Sequence, residues 1–408
     1  VTAPPQGTWA ALAIPPFRNF WLLSFLAFMG ASVQSVGAGW LVATLAGSPL
    51  LVGMVQGVFT LSQFLMALPA GALADLLDRR VVMLGALGTM MTGTLLLGGL
   101  TLAGAAAPTV ILALTFCFGL GASAMTPAMQ ATMPDLVPRA LLPSALTLNG
   151  LTVSVARAAG PALAGLLLGL WGGGLTLLVN VLAFVGLFVV VARWRDPRPR
   201  SAAPAGFRAA IAAGVRFAIS APAVRRLMLK SAASFFGVSI LLALLPAVVA
   251  ERFGGAPETL GLLLGCFGLG SVLASFALGR LYARLSRSRV IDLANVAHGG
   301  AVLALAVADQ VIALAPAMFV AGLAWTALTT SVGIVAQLVL PAEYRARGLS
   351  INMMAMMGAL TLGAGAWGQL AELRGLTTAF AVAGATGLLM PLVTARLRLA
   401  EQPVAASA

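Results

Sequence analysis

An all-α integral membrane protein is what this sequence predicts, on three observations: long uninterrupted apolar runs, scarce charge and abundant glycine. Hydrophobic types make up 60% of the 408 residues and charged types only 9%, about a third of the share in a water-soluble domain. One globular core cannot bury that much apolar surface, so the chain needs a bilayer as its solvent. The 46 glycines suit close helix packing in lipid, and the runs lack the alternation of a membrane β-barrel.

Runs bounded by Gly, Pro and charge predict twelve spans, at residues 20–44, 50–74, 81–103, 108–133, 144–170, 175–192, 227–250, 259–281, 290–308, 311–338, 349–371 and 377–395. Each is close to the roughly 20 residues a helix needs to cross the hydrocarbon layer. With the first residues placed in the cytoplasm, 21 of the 24 cations fall on that side; Arg252 and Arg374 fall outside, and Arg157 lies within a span. Lys and Arg collect in cytoplasmic loops, so both termini are predicted to be cytoplasmic. Residues 1–17 lack a basic region and a small-residue cleavage site, so no signal peptide is expected.

Pro197, Pro199, Pro204 and Pro222 interrupt the one long polar stretch. It divides the chain into an expected six-helix bundle at 1–195, a cytoplasmic linker at 196–226 and a second six-helix bundle at 227–408. In the linker, Phe207, Ile211 and Val215 recur every four residues beside Arg208 and Arg216, as in a helix lying on the membrane surface; a disordered basic tether is the alternative. The halves also repeat. A shift of 208 residues pairs Gly57, Phe59, Leu65, Gly71, Leu73, Leu77 and Arg79 with Gly265, Phe267, Leu273, Gly279, Leu281, Leu285 and Arg287, and a shift of 207 pairs Gln130 and Pro134 with Gln337 and Pro341. Two similar six-helix halves sharing a midplane cleft are the plan of a secondary transporter.

The turn after the second span reads Gly71-Ala-Leu-Ala-Asp75-Leu-Leu-Asp78-Arg79-Arg80. Gly71 permits close helix approach, Asp75 can face a helix N-terminus or an Arg, and Arg79 can pair with Asp135 across the next turn. These contacts are expected to tie the two halves together in one conformational state; a cationic turn that only fixes topology is the alternative. The segment resembles the signature loop between helices 2 and 3 of the major facilitator superfamily, with Asp78 where most of that superfamily has glycine. Phe17-Arg18-Asn19-Phe20-Trp21, Trp40, Gly47-Ser48-Pro49 and the run from Arg157 through Gly160-Pro161 to Gly165 resemble the bacterial branch that holds enterobactin-type siderophore exporters and macrolide-type efflux proteins. The resemblance implies the twelve-helix fold in two pseudo-symmetric bundles, a bacterial inner-membrane location and transport rather than enzymatic activity. Gly160-Pro161, with Gly150, Gly165 and Gly169, also resembles the superfamily's antiporter signature, although the second of the paired glycines at its end is absent. That likeness implies export over import.

Polar groups inside spans are costly unless they are paired or line a wet cavity. Gln34, Gln63, Asn149, Arg157, Trp325 and Asn352 are therefore the candidate cavity residues, with Gln56 and Thr326 beside them; hydrogen bonding between helices is the alternative for each amide. Phe116, Phe118, Phe235, Phe236, Met353, Met354, Met356 and Met357 offer an adaptable apolar lining. For proton coupling the candidates are Asp292 and His298 in the ninth span, against a purely structural role for both. Arg157 lies about 20 Å into its span, so it should face the interior, paired either with an anionic substrate, with Gln34 and Asn352 as candidate neighbours, or with backbone carbonyls.

No Walker-type phosphate loop occurs, which argues against direct ATP drive. Cys117 and Cys266 lie in apolar runs without partners at metal or redox spacing and are expected to be buried packing residues. No cofactor or metal is expected. The cations are not interleaved with aromatics, so nucleic acid is not expected either. The expected partners are a small-molecule substrate, protons and the lipid bilayer, with the chain acting as a monomer.

Overall fold

The computed structural model describes residues 7–67, 69–70, 77–194, 221–340, 345–395 and 397. After a short 3-10 turn at Ala10–Ala13 come α1 (Pro15–Ala46), α2 (Pro49–Met66), α3 (Arg79–Leu102) and α4 (Pro108–Leu136). The apolar segment Leu142–Arg193 follows, then α7 (Pro222–Arg252), α8 (Pro257–Tyr282), α9 (Arg287–Val307), α10 (Val311–Val339), α11 (Arg345–Arg374) and α12 (Leu376–Val393). These make eleven helical segments long and apolar enough to cross a membrane. Leu142–Arg193 is two of the twelve helices: its 52 residues would span about 78 Å as one rod. At Gly172 the backbone takes φ 70 and ψ 171, a conformation open to glycine alone. Thr176 Oγ1 then donates to the carbonyl of Leu167 at 2.8 Å, which only a reversed chain allows. We number the two arms α5 (142–171) and α6 (173–193).

Local chemistry sets the helix ends. Proline opens α1, α2, α4, α7 and α8, where its missing N–H costs nothing. Ser48 caps α2 by accepting from Leu51 N at 3.3 Å, and Ser286 caps α9 in the same way through Arg289 N at 3.4 Å. Of the span predicted at 50–74, α2 covers the part up to Met66, Pro69 and Ala70 are helical again, and 71–74 lie outside the described residues. Large apolar side chains such as Phe276, Ile312 and Leu362 point outward, as they do where lipid replaces water. Cys117 is among the outward-facing residues, contrary to expectation, while Cys266 is half-buried. A lipid-facing surface is as apolar as a core, so hydrophobicity does not separate the two.

Two helix pairs join the first half of the chain to the second. In one, α2 packs along α11: Gly53 abuts the backbone of Ala364, Gly368 abuts Leu50, and Thr60 and Thr361 share a 2.9 Å hydrogen bond. In the other, α5 packs on α8 through Ala158 with Gly268, Ala162 with Gly265, and Gly165 with Gly261. Small residues let the two backbones touch. One end of the molecule is closed over these pairs: Trp40 Nε1 donates to Gly255 O at 3.0 Å, and the Glu372 carboxylate accepts from Ser48 Oγ at 2.8 Å and Leu50 N at 3.3 Å. By contrast, α4 and α10 make no extensive contact across the halves.

Candidate functional site

Between the halves lies a cavity of about 360 Å³ whose two walls differ in chemistry. The first half supplies the polar groups, Ser32, Ser35, Gln56, Thr60, Gln63 and Arg157, together with Val36, Val52, Val55, Phe59 and Pro161; the second supplies apolar and aromatic side chains, among them Leu242, Leu264, Phe267, Trp325, Met353 and Met357. Trp325 is held by two aromatic neighbours, Phe235 at 5.9 Å edge-on and Phe267 at 6.2 Å between ring centroids. A second cavity of about 390 Å³ runs inside the first half between α1, α4 and α5, and shares Ser32, Ser35, Phe59, Gln63 and Arg157 with the first. Arg157 stands at their junction. Its guanidinium reaches open space and, among the described residues, has no hydrogen-bond or ion-pair partner.

The local sequence around Arg157 explains its position. Pro161, which also lines the cavity, withholds the N–H that would bond the Arg157 carbonyl. Gly160 admits Ser32 of α1, since a Cβ there would lie 2.6 Å from Ser32 Oγ. Ser32 Oγ donates to Ala156 O at 3.3 Å, fixing α1 against α5 one residue before the arginine.

Of the other candidates, Gln63 and Trp325 line the central cavity, whereas Gln34, Asn149 and Asn352 line neither cavity. Gln34 is buried with both amide atoms unpaired among the described residues, and Asn352 Nδ2 reaches only Met356 Sδ, at 3.4 Å. Gln34 and Asn352 are thus not neighbours of Arg157 across the cavity. Gly71 and Asp75 lie outside the described residues, as does the linker with Phe207, Ile211 and Val215. Asp78 caps α3 by accepting from Arg80 N at 2.8 Å. Arg79 pairs with Asp135 at 3.2 Å and donates to Ala131 O at 2.6 Å, while Arg80 donates to Ala192 O at the end of α6. These contacts join α3 to α4 and α6, all in the first half. The expectation that Arg79–Asp135 ties the two halves together is corrected, because both partners come from neighbouring helices of one half.

Asp292 forms a 2.6 Å ion pair with Lys230, and His298 is buried farther along α9. Sequence reading passed over Lys230. It also missed Arg252, which donates to Leu305 O and to Thr377 Oγ1, each at 2.8 Å, and so ties the end of α7 to α9 and α12.

The profile of the family described as transmembrane secretion effector matches residues 6–408. The chain belongs to this family. It is a secondary transporter of the major facilitator superfamily, a multi-pass membrane protein and not an enzyme. Among curated relatives it is 26% identical to the uncharacterized MFS-type transporter YfiS of Bacillus subtilis over 93% of this chain and 94% of that one. It is 27% identical to the staphyloferrin A transporter of Staphylococcus aureus over 41% of this chain and 42% of that protein. With the enterobactin exporter EntS of Shigella boydii it shares 26% identity over 65% of this chain and 64% of that one. In both of these last two, the match spans less than two thirds of the relative's length. The fold matches solved structures of the nucleoside transporter NupG (TM-score 0.73, 13% identity, 94% of this chain and 99% of that one) and of a bacterial homologue of the human lysosomal transporter Spinster (0.75, 15%, 98% and 100%).

Proposed function

We propose that the chain exports a small amphipathic anion, siderophore-like or drug-like, from a bacterial cytoplasm across the inner membrane in exchange for protons. The observation that carries this reading is the unpaired Arg157, set in a polar wall opposite an apolar one. A guanidinium at this depth has to face a wet cavity or a counter-charge, and Arg157 is exposed to the cavity, where an anionic group can reach it. A substrate with an anionic group and an apolar or aromatic body satisfies both walls at once. The low-identity siderophore transporters among the relatives support that class. With the orientation expected from the charge asymmetry of the loops, the closed end faces outside and the substrate is loaded from the cytoplasmic side, as in an exporter.

The deciding experiment uses inverted membrane vesicles under an imposed pH gradient, offered a panel of catecholate and carboxylate siderophores, macrolides and cationic dyes. Gradient-dependent uptake of anionic members is expected. Uptake of cations alone would overturn the substrate class. Accumulation in whole cells in place of reduced accumulation would mark an uptake carrier, and no movement in either setting would mark a non-transporting membrane scaffold.

A further inference from the structure

A file of polar pairs crosses the second half of the molecule between α7 and α9, away from the substrate cavity. It begins at a cavity of about 410 Å³ lined by Lys230, Ser286, Ser288, Arg289, Asp292 and Thr394. At its floor Lys230, only 2% exposed, pairs with Asp292 at 2.6 Å and donates to Ser288 Oγ at 3.2 Å. One turn deeper, Asn295 Nδ2 donates to Ser234 Oγ at 2.9 Å. One turn deeper again lies His298, 3% exposed, with the backbone carbonyls of Val238 and Ala321 facing its ring. Asp292, Asn295 and His298 are spaced by three and Lys230, Ser234 and Val238 by four, so each set holds one helix face. Neither ring nitrogen of His298 makes a hydrogen bond of good geometry among the described residues, although both carbonyls lie close to the ring. A neutral imidazole always carries one N–H donor, and a buried donor left unpaired costs about 1–3 kcal/mol.

We propose that His298 is the site where a proton binds during the transport cycle, reached along this file. The proposal rests on the proton-driven reading above and names the residue that reading lacks. Its position gives the proton a lever. His298 sits behind the cavity wall: four residues beyond Val238 on α7 is Leu242, and four residues beyond Ala321 on α10 is Trp325, both lining the substrate cavity. In the described conformation the Val238 and Ala321 carbonyls stand at the ring without forming a well-aligned hydrogen bond to either nitrogen. A protonated ring carries an N–H for each carbonyl, so the proton favours a shift of α7 and α10 that aligns both, and a ligand that prefers one state shifts the equilibrium toward it. No other titratable group competes at this level. Helices α10 and α12, both packed on α9, carry none. On α7 the nearest is Lys230 and on α9 it is Asp292; of those of α8, Glu258, Arg280 and Tyr282 lie at its two ends, and the Cys266 thiol sits midway along a helix with little contact to α9.

His298 is the only histidine of the chain, so imidazole ¹⁵N NMR on the full chain reads this ring alone. The chain is purified through a histidine-free tag and placed in nanodiscs of phosphatidylethanolamine and phosphatidylglycerol. As pH is lowered from about 8 to 5, the range in which imidazoles switch, the ring is expected to take up a proton. Spin labels at Leu45→Cys and Leu373→Cys, with Cys117 and Cys266 replaced by alanine, should report separation of the closed end with the same midpoint, and His298→Gln should abolish that pH dependence. A ring that stays neutral throughout overturns the proposal, as does a pH-dependent separation that persists in His298→Gln. If His298→Gln does not fold, the NMR titration of the native ring decides alone. No substrate enters these measurements, so a wrong substrate class and a wrong proton site give separate failures.

Discussion

Exchanging Arg157 for lysine keeps a positive charge in the cavity and loses the planar fork, whereas exchange for glutamine removes the charge and keeps a polar side chain of moderate length. If the guanidinium serves a substrate anion, Arg157→Lys should retain part of the transport. Arg157→Gln should bind anionic substrate about 10- to 150-fold more weakly, the equivalent of a charged hydrogen bond of about 1.5–3 kcal/mol. Binding is measured by tryptophan fluorescence titration on protein that elutes as a single species. Full transport by Arg157→Gln, or failure of both variants to fold, would show that the arginine is structural. The backbone-carbonyl role foreseen for it is absent from the described conformation, where Arg157 donates to no carbonyl. Arg157 was legible in the sequence as a lone charge within a span. Its neighbours were not: Ser32 and Ser35 line the cavity while Gln34 does not, and adjacent helix residues differ by about 100° of rotation. Helices that are apolar all round, with lipid outside and helices inside, leave that rotation unmarked.

At the level of elements, the seam between α5 and α8 is a contact of backbones. A Cβ at Gly165 would lie 2.6 Å from Pro257 O and 2.7 Å from Gly261 N. Neither is the end of a flexible side chain, so Gly165→Ala has to push the helices apart at a cost of about 1–3 kcal/mol. The expected result is an inserted protein whose closed end is populated less, read as a longer distance between labels at Leu45 and Leu373; an unchanged distance would mean that the seam yields without cost. The helices themselves were legible. Gly172 breaks the hairpin inside the gap foreseen between 170 and 175, because only a glycine takes φ 70 without strain. The pairings between elements were not. Lys230 with Asp292 and Arg252 with Leu305 are joined across more than fifty residues, and each depends on which helices become neighbours, which local pattern does not encode.

For the whole molecule, orientation is tested by a reporter active only in the cytoplasm. Fused after Arg200 it should be active, and placed between Gly254 and Pro257 it should be silent; the reverse would turn the exporter reading into one of uptake. The halves rock only if the closed end can part, and its polar latch is small. Glu372 of α11 reaches across to the first turn of α2, where Ser48 Oγ and Leu50 N donate to its carboxylate and the positive end of the helix dipole adds attraction. Both donors are near solvent, so the contact is worth about 0.3–1 kcal/mol, a factor of about two to five in the ratio of closed to open. A latch of that size suits a transporter, because a stronger one would hold the closed state and slow the return step. Glu372→Ala should therefore raise the open population at this end by about two- to fivefold, measured as the long-distance fraction between labels at Leu45 and Leu373. Glu251→Ala removes another exposed carboxylate at the same end of the molecule that takes no part in the latch, and it should leave the distance distribution unchanged. If the two variants behave alike, general surface charge sets the balance and the Glu372 contact does not.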